Sequence, residues 1–150
     1  MLSYDICKKL KEIGFPQELK EGDWYFAMES DISGFEKIGE KYLIHSDCHF
    51  EHYAYPKLND KPSKVENGSI VDLVYAKIPT LSELIEVCGD DFDSLERVEF
   101  MDLETKEKHN EWFVKPVEVL HDKFPGAIKY MIGQTPEEAV ANLWTKLHEK

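Results

Sequence analysis

Two threonines set the firmest limits on what this chain can fold into. Thr80 stands three residues before Glu83, and Thr135 stands three before Glu138, each at the head of a run with apolar residues at helical spacing. This is the capping-box pattern, in which the N-cap and N3 side chains satisfy backbone N–H groups otherwise left orphaned at a helix start. Behind Thr80, the residues Leu81, Leu84, Ile85 and Cys88 share a face, and Gly89 ends the helix. Behind Thr135, Pro136 suits the first helical position, and Ala139, Val140, Leu143, Trp144 and Leu147 make a broad apolar stripe. Another helix is expected over residues 4 to 13. Ser3 caps it, Ile6, Cys7, Leu10 and Ile13 line one face, and Gly14-Phe15-Pro16 stops it.

Between these helices the periodicity changes to that of strands. Trp24, Phe26 and Met28 alternate with Tyr25 and Ala27, the pattern of a strand covered on both faces. Residues 31 to 39 read as a turn or loop, and a second strand begins at Tyr42. Residues 56 to 69 hold two Pro, two Asn, one Gly and two Ser, and are expected to be an exposed loop. A short apolar run, Ile70 to Ala76, follows. Residues 90 to 96 read as an acidic turn or one short helical turn. Val98 and Phe100 then alternate as a strand, and the polar stretch from Glu104 to Asn110 joins it to Trp112-Phe113-Val114 in a hairpin. Ile128, Tyr130 and Ile132 give a last strand. Strands come in runs without a crossover helix between each pair. The expected fold is therefore α+β: a mainly antiparallel sheet, single-layer or sandwich, with about three helices packed on it. The 150 residues suit a single domain.

Charge narrows the choice of partners. Thirty acidic residues against eighteen basic ones give a net charge of −12. Arg97 is the only arginine, and arginine is the side chain best shaped for bidentate contacts to phosphate or guanine. A surface of this sign repels a phosphate backbone, so direct DNA or RNA binding is not expected. An acidic protein can instead meet a basic protein surface, including one that ordinarily holds nucleic acid. No apolar run approaches the roughly 20 residues that span a bilayer, so no membrane association is expected. The start lacks the basic and apolar regions of a signal peptide. Cys7, Cys48 and Cys88 are an odd number without CxxC spacing and read as buried free thiols in a reducing cytoplasm.

One stretch carries the vocabulary of a metal site. Residues 45 to 52 read His-Ser-Asp-Cys-His-Phe-Glu-His and hold three of the six histidines. On a strand, His45, Asp47, His49 and Glu51 share a face, with Ile44, Cys48 and Phe50 on the other. Imidazoles two apart plus a carboxylate could hold a divalent transition metal such as zinc, nickel or iron, and an open coordination position would let it activate water. The plainer reading is the wet face of an antiparallel strand, and it is the one adopted, with no cofactor expected. Cys48 beside His49 is no catalytic pair, because adjacent strand residues point to opposite faces. The acidic group Glu86, Asp90, Asp91, Asp93 and Glu96 lacks the order and the glycine of a calcium loop. There is no GxSxG, GxxxxGK[ST] or GxGxxG.

The segments Cys7-Lys-Lys-Leu-Lys-Glu-Ile-Gly-Phe-Pro-Gln, Pro79-Thr-Leu-Ser-Glu-Leu-Ile-Glu-Val-Cys-Gly-Asp-Asp-Phe and Gly133-Gln-Thr-Pro-Glu-Glu-Ala-Val-Ala-Asn-Leu-Trp resemble small uncharacterised proteins of bacteriophages, prophages and bacterial mobile elements. The resemblance lies in the helices and their caps, and it brings no catalytic residue. It implies an accessory protein in a bacterial cytoplasm, acting on a host or phage protein. The function expected is that of a non-enzymatic binding or regulatory protein, with exposed aromatics such as Tyr53 and Tyr55 at the contact. A metal-dependent hydrolase using His45, Asp47, His49 and Glu51 is the first alternative. An acidic nucleic-acid mimic that inhibits a host defence enzyme is the second. Homodimerisation is compatible with each.

Overall fold

The computed structural model describes residues 1–30, 37–44, 54–58, 61–66, 69–72, 74–116 and 130–149. Among these the fold is α+β, with three helices and three three-stranded antiparallel sheets. The expected class therefore holds, but the strands are divided among three sheets instead of forming one. The chain also divides into two compact units, Ser3–Pro79 and Thr80–Lys150 with Met1–Leu2, where the sequence reads as a single domain. No Gly- or Ser-rich linker marks the boundary. It falls where Pro79 meets the N-cap of the second helix.

In the first unit, helix α1 spans Tyr4–Glu12, and the Ser3 hydroxyl accepts from the Ile6 N–H at 3.4 Å. Gly14, at φ +94°, closes the helix. The Gly14 N–H donates to the Lys11 carbonyl at 3.1 Å and the Phe15 N–H to the Leu10 carbonyl at 2.9 Å, which together make a Schellman stop. Phe15 is buried, as its fold-back role requires. Strand β1, Trp24–Ala27, lies between β2, Lys41–Leu43, and β6, Tyr75–Ile78. Tyr25, Phe26 and Ala27 are all buried, so this central strand is covered on both faces.

A second sheet in the same unit holds β3, Ala54–Leu58, β4, Lys61–Glu66, and β5, Ser69–Asp72. This corrects the reading of residues 56 to 69 as a loop. The prolines that suggested a loop, Pro56 and Pro62, fall where the β3–β4 register shifts, between the Tyr55–Ser63 and Leu58–Lys61 pairs. A missing N–H costs least at such an irregularity.

In the second unit, α2 spans Leu81–Cys88 with its capping box formed in both directions. After a single 3-10 turn, Gly89–Asp91, strand β7 runs Phe92–Met101 and pairs with β8, Lys108–Pro116. The stretch read as an acidic turn thus enters the strand at Phe92. Its acidic residues Asp93 and Glu96 are exposed strand positions, which hid the strand from a search for apolar alternation. Strand β9, Met131–Gly133, completes the sheet beside β8, and α3, Pro136–His148, packs on β8 and β9 and against α2. The α3 cap differs in one detail from the expected box. Thr135 accepts from the Glu138 N–H at 3.2 Å, but the Glu138 carboxylate reaches back to the Gln134 N–H at 3.0 Å.

Candidate functional site

The residues singled out for metal chemistry, His45, Asp47, His49 and Glu51, lie outside the described residues, as do Cys48 and Tyr53. Tyr55 falls in β3. Among the described residues no group of three or more His, Cys, Asp or Glu stands where it could hold a metal ion. Of the acidic group, Glu86 lies on α2, Asp90 and Asp91 on the 3-10 turn, and Asp93 and Glu96 on β7.

The most concentrated polar chemistry in the first unit is structural. The Lys77 ammonium meets the Asp23 carboxylate at 3.0 Å, both side chains being buried, and also donates to the Glu18 carbonyl at 2.8 Å. The Lys77 N–H donates to Gln17 Oε1 at 2.9 Å, and Asp23 Oδ2 accepts from the Lys20 N–H at 3.0 Å. The Tyr75 hydroxyl donates to the Gln17 carbonyl, and the Lys11 ammonium to the Tyr75 carbonyl. Together these bonds tie the chain between α1 and β1 onto β6. Burial, with the Glu18 carboxylate nearby, raises the Tyr75 hydroxyl above its ordinary pKa, and burial lowers that of Lys11. Buried charges stand only when paired and hydrogen-bonded, and this cluster meets that condition by acting as a clamp. The thiols are equally quiet. Cys7 and Cys88 are free and buried, and burial pushes each up to about 12, with the Asp91 carboxylate adding to the shift at Cys88. So little thiolate exists near neutrality that neither is a nucleophile.

The feature that packing leaves unexplained is one face of the β7–β8–β9 sheet. Register and side-chain alternation sort its residues. Trp112 pairs with Gly133, and Val114 with Leu95 and Met131, on the side that carries α3. A Cβ added at Gly133 would sit 2.3 Å from the Ala139 nitrogen, so the helix lies directly on that side. The opposite side carries Glu96 paired with Phe113, Phe113 with Ile132, Val98 with Glu111, and Phe100 with His109. On this open side Val98 is 36% exposed, Phe100 41%, Tyr130 42% and Ile132 43%. Phe113 and Tyr130 meet edge to face at 5.9 Å, and Phe100 stacks on His109 at 5.6 Å. Glu96 is exposed, and the half-buried Glu111 accepts weakly from Gln134 Nε2 at 3.5 Å.

The hairpin that presents this face has a built tip. Asp102 Oδ1 accepts from the N–H groups of Glu104 and Thr105, both at 2.8 Å, and those bonds hold its carboxyl below the usual pKa. Lys106 takes φ +62°, and Leu103, 82% exposed, stands at the apex. Sequence reasoning found the alternations at Val98–Phe100 and Tyr130–Ile132 but gave no sign that they share a face left open. The two-residue period shows that a strand has two faces, not which one is covered. No helix among the described residues is long and apolar enough to cross a membrane. Comparison of the chain with protein-family models, curated proteins and solved structures returned no match.

Proposed function

We propose that this chain is a non-enzymatic protein-binding module whose working surface is the open face of the β7–β8–β9 sheet. The observation that supports this is the presence of Val98, Phe100, Tyr130 and Ile132, all exposed, together with Phe113 on one side of three paired strands. Exposed apolar residues scattered singly need no explanation, but a contiguous patch with polar neighbours is the usual mark of an interaction surface. Aromatic side chains provide large contact area at low entropic cost, and three stand on this face. The resemblance of the helical segments to phage and prophage proteins suggests the setting: an accessory protein in a bacterial cytoplasm whose partner is a host or phage protein.

The test is affinity capture from host extract with three baits: the intact chain, a Phe100→Ser/Ile132→Thr variant, and Ile38→Ser, which alters an exposed apolar residue of the other unit. Proteins retained by the intact chain and by Ile38→Ser, but lost from the double variant, are the expected result. Identical capture by all three baits would refute the proposal.

A further inference from the structure

We infer that two copies of this chain join antiparallel along the outer edge of β7, with Val98 of one copy opposite Val98 of the other at a two-fold axis. The inference concerns the edge of the sheet, and it stands or falls separately from the reading of the open face.

β7 is the exception among the edges. The sheets leave β2, β3, β5, β6, β7 and β9 at their borders, and all but β7 are three to five residues long. β7 has ten residues and, among the described strands, pairs on one side only, with β8. From Glu96 to Met101 every residue is exposed. Soluble proteins guard such an edge with brevity, proline, lysine or a bulge, because its unpaired N–H and C=O groups can pair with another strand. The β7–β8 register shifts between Phe92 and Ser94, and from there to Met101 the strand holds no proline, glycine or lysine.

Backbone direction and charge then select the partner. The Asp102 N–H donates to the Glu107 carbonyl at 2.9 Å, in register with the β7–β8 ladder. Backbone groups alternate along an antiparallel strand, so Phe100, Val98 and Glu96 turn theirs to β8, while Met101, Glu99, Arg97 and Leu95 turn theirs to the open edge. A second β7, antiparallel about a two-fold axis normal to the sheet, must match these outward residues with one another. Centring the pair on Arg97 opposes two arginines, and centring it on Glu99 opposes two glutamates. Centring it on Glu96 sets Glu96 against Glu96 and Glu99 against Asp93. Centring it on Val98 sets Arg97 against Glu99 twice and Leu95 against Met101 twice, each as a hydrogen-bonded pair. Registers farther toward either end run into the irregularity at Phe92 and Ser94 or into the hairpin tip. Glu99 already meets Lys108 at 3.0 Å, but both are exposed, and a carboxylate has room for a second donor. Met101, 50% exposed in one copy, gains an apolar neighbour. The net charge of −12 repels a second copy, but it is spread over the surface and screened beyond about 8 Å at physiological ionic strength, whereas the paired side chains touch.

The experiment is sedimentation of the intact chain, Arg97→Glu, Glu99→Arg and an equimolar mixture of those two variants, with circular dichroism confirming that each folds. The intact chain should sediment as a dimer. Each single variant sets like charges face to face twice and should weaken association about tenfold or more. The mixture should recover the dimer, because every facing pair is then of opposite charge. Val98→Cys should form an intermolecular disulfide on oxidation that the parent does not, since facing residues of a non-hydrogen-bonded pair bring their Cα atoms to about 4.5 Å, within disulfide reach. Phe100→Cys, displaced along the strand from its own copy, should not. A monomeric intact chain, or an assembly larger than two, would overturn the inference. So would a dimer that both charge variants keep, or one that the mixture fails to restore. A dimer that both charge variants keep but Phe100→Ser/Ile132→Thr loses would move the second copy to the open face, and that too would overturn it.

Discussion

The two faces of the β7–β8–β9 sheet come from alternate residues of the same strands, and they have opposite fates. On the α3 side Val114 has no exposed surface, and Gly133 leaves no room for even a methyl group between strand and helix. On the other side the residues are as apolar, yet four of them remain about two-fifths exposed. Composition therefore does not separate the faces, but coverage does where α3 lies; farther along β7 on that side Met101 is 50% exposed. A valine or glycine on the α3 side is explained by the core it completes. Phe100 and Ile132 on the open side bury just over half of their surface on folding, so part of their apolar surface is left for the proposed partner to account for.

If that contrast is right, substitutions on the two sides should differ sharply in their effect on stability. Leu143→Ala, in the α3 core, should show the largest loss, about 2–5 kcal/mol by urea denaturation, because it removes transfer energy and leaves a cavity. Gly133→Ala comes next at about 1–3 kcal/mol, since the new methyl group meets the helix backbone at Ala139 and either strand or helix must shift. A loss near zero would mean that α3 is not seated directly on β9.

A pH-dependent effect should mark the buried end of α2. The Cys88 thiol is raised from 9.0 to about 12 in the folded chain. The unfolded chain therefore releases this proton first as pH rises. The stabilisation is fully present below pH 9 and is lost progressively toward pH 12. Cys88→Ala should flatten the fall of the unfolding midpoint across that window without changing its shape near neutrality. A variant that falls as steeply as the parent would place the thiol in water. The smallest effects per substitution belong to the open side, where Phe100→Ser and Ile132→Thr should each cost about 1 kcal/mol or less, the span of strand propensity and cross-strand pairing.

The parts of this fold visible in the sequence are those decided locally. The Ser3, Thr80 and Thr135 caps and the Gly14 stop lie within a few residues of what they satisfy, and the structure places all four, with only the Glu138 carboxylate turned to the Gln134 N–H instead of closing the expected box. Strands fared worse because pairing is decided at a distance. The β3–β5 sheet was missed by counting Pro, Asn and Gly as loop. Yet Asn67-Gly68, the strongest two-residue hairpin signal, lies between the paired Glu66 and Ser69. The start of β7 was missed because Asp93 and Glu96 interrupt its apolar pattern. The clamp at Asp23 and Lys77 joins residues far apart in sequence, and no local spacing announces it. The open face was half legible, its alternation readable at Val98, Phe100, Tyr130 and Ile132. Its openness depends on where α3 lands, which those residues do not encode. The histidine-rich stretch, with His45, Asp47, His49 and Glu51, lies outside the described residues, and elemental analysis against a His45→Ala/His49→Ala variant addresses it separately.

The most direct test of the contrast is the unfolding free energy of a triple variant, Val98→Thr/Phe100→Ser/Ile132→Thr, measured beside Leu143→Ala. The account predicts that the triple variant loses less in total than the single core substitution. A triple variant that loses at least as much as Leu143→Ala would show that these residues stabilise the fold itself. That result would remove the reason for assigning them to a partner.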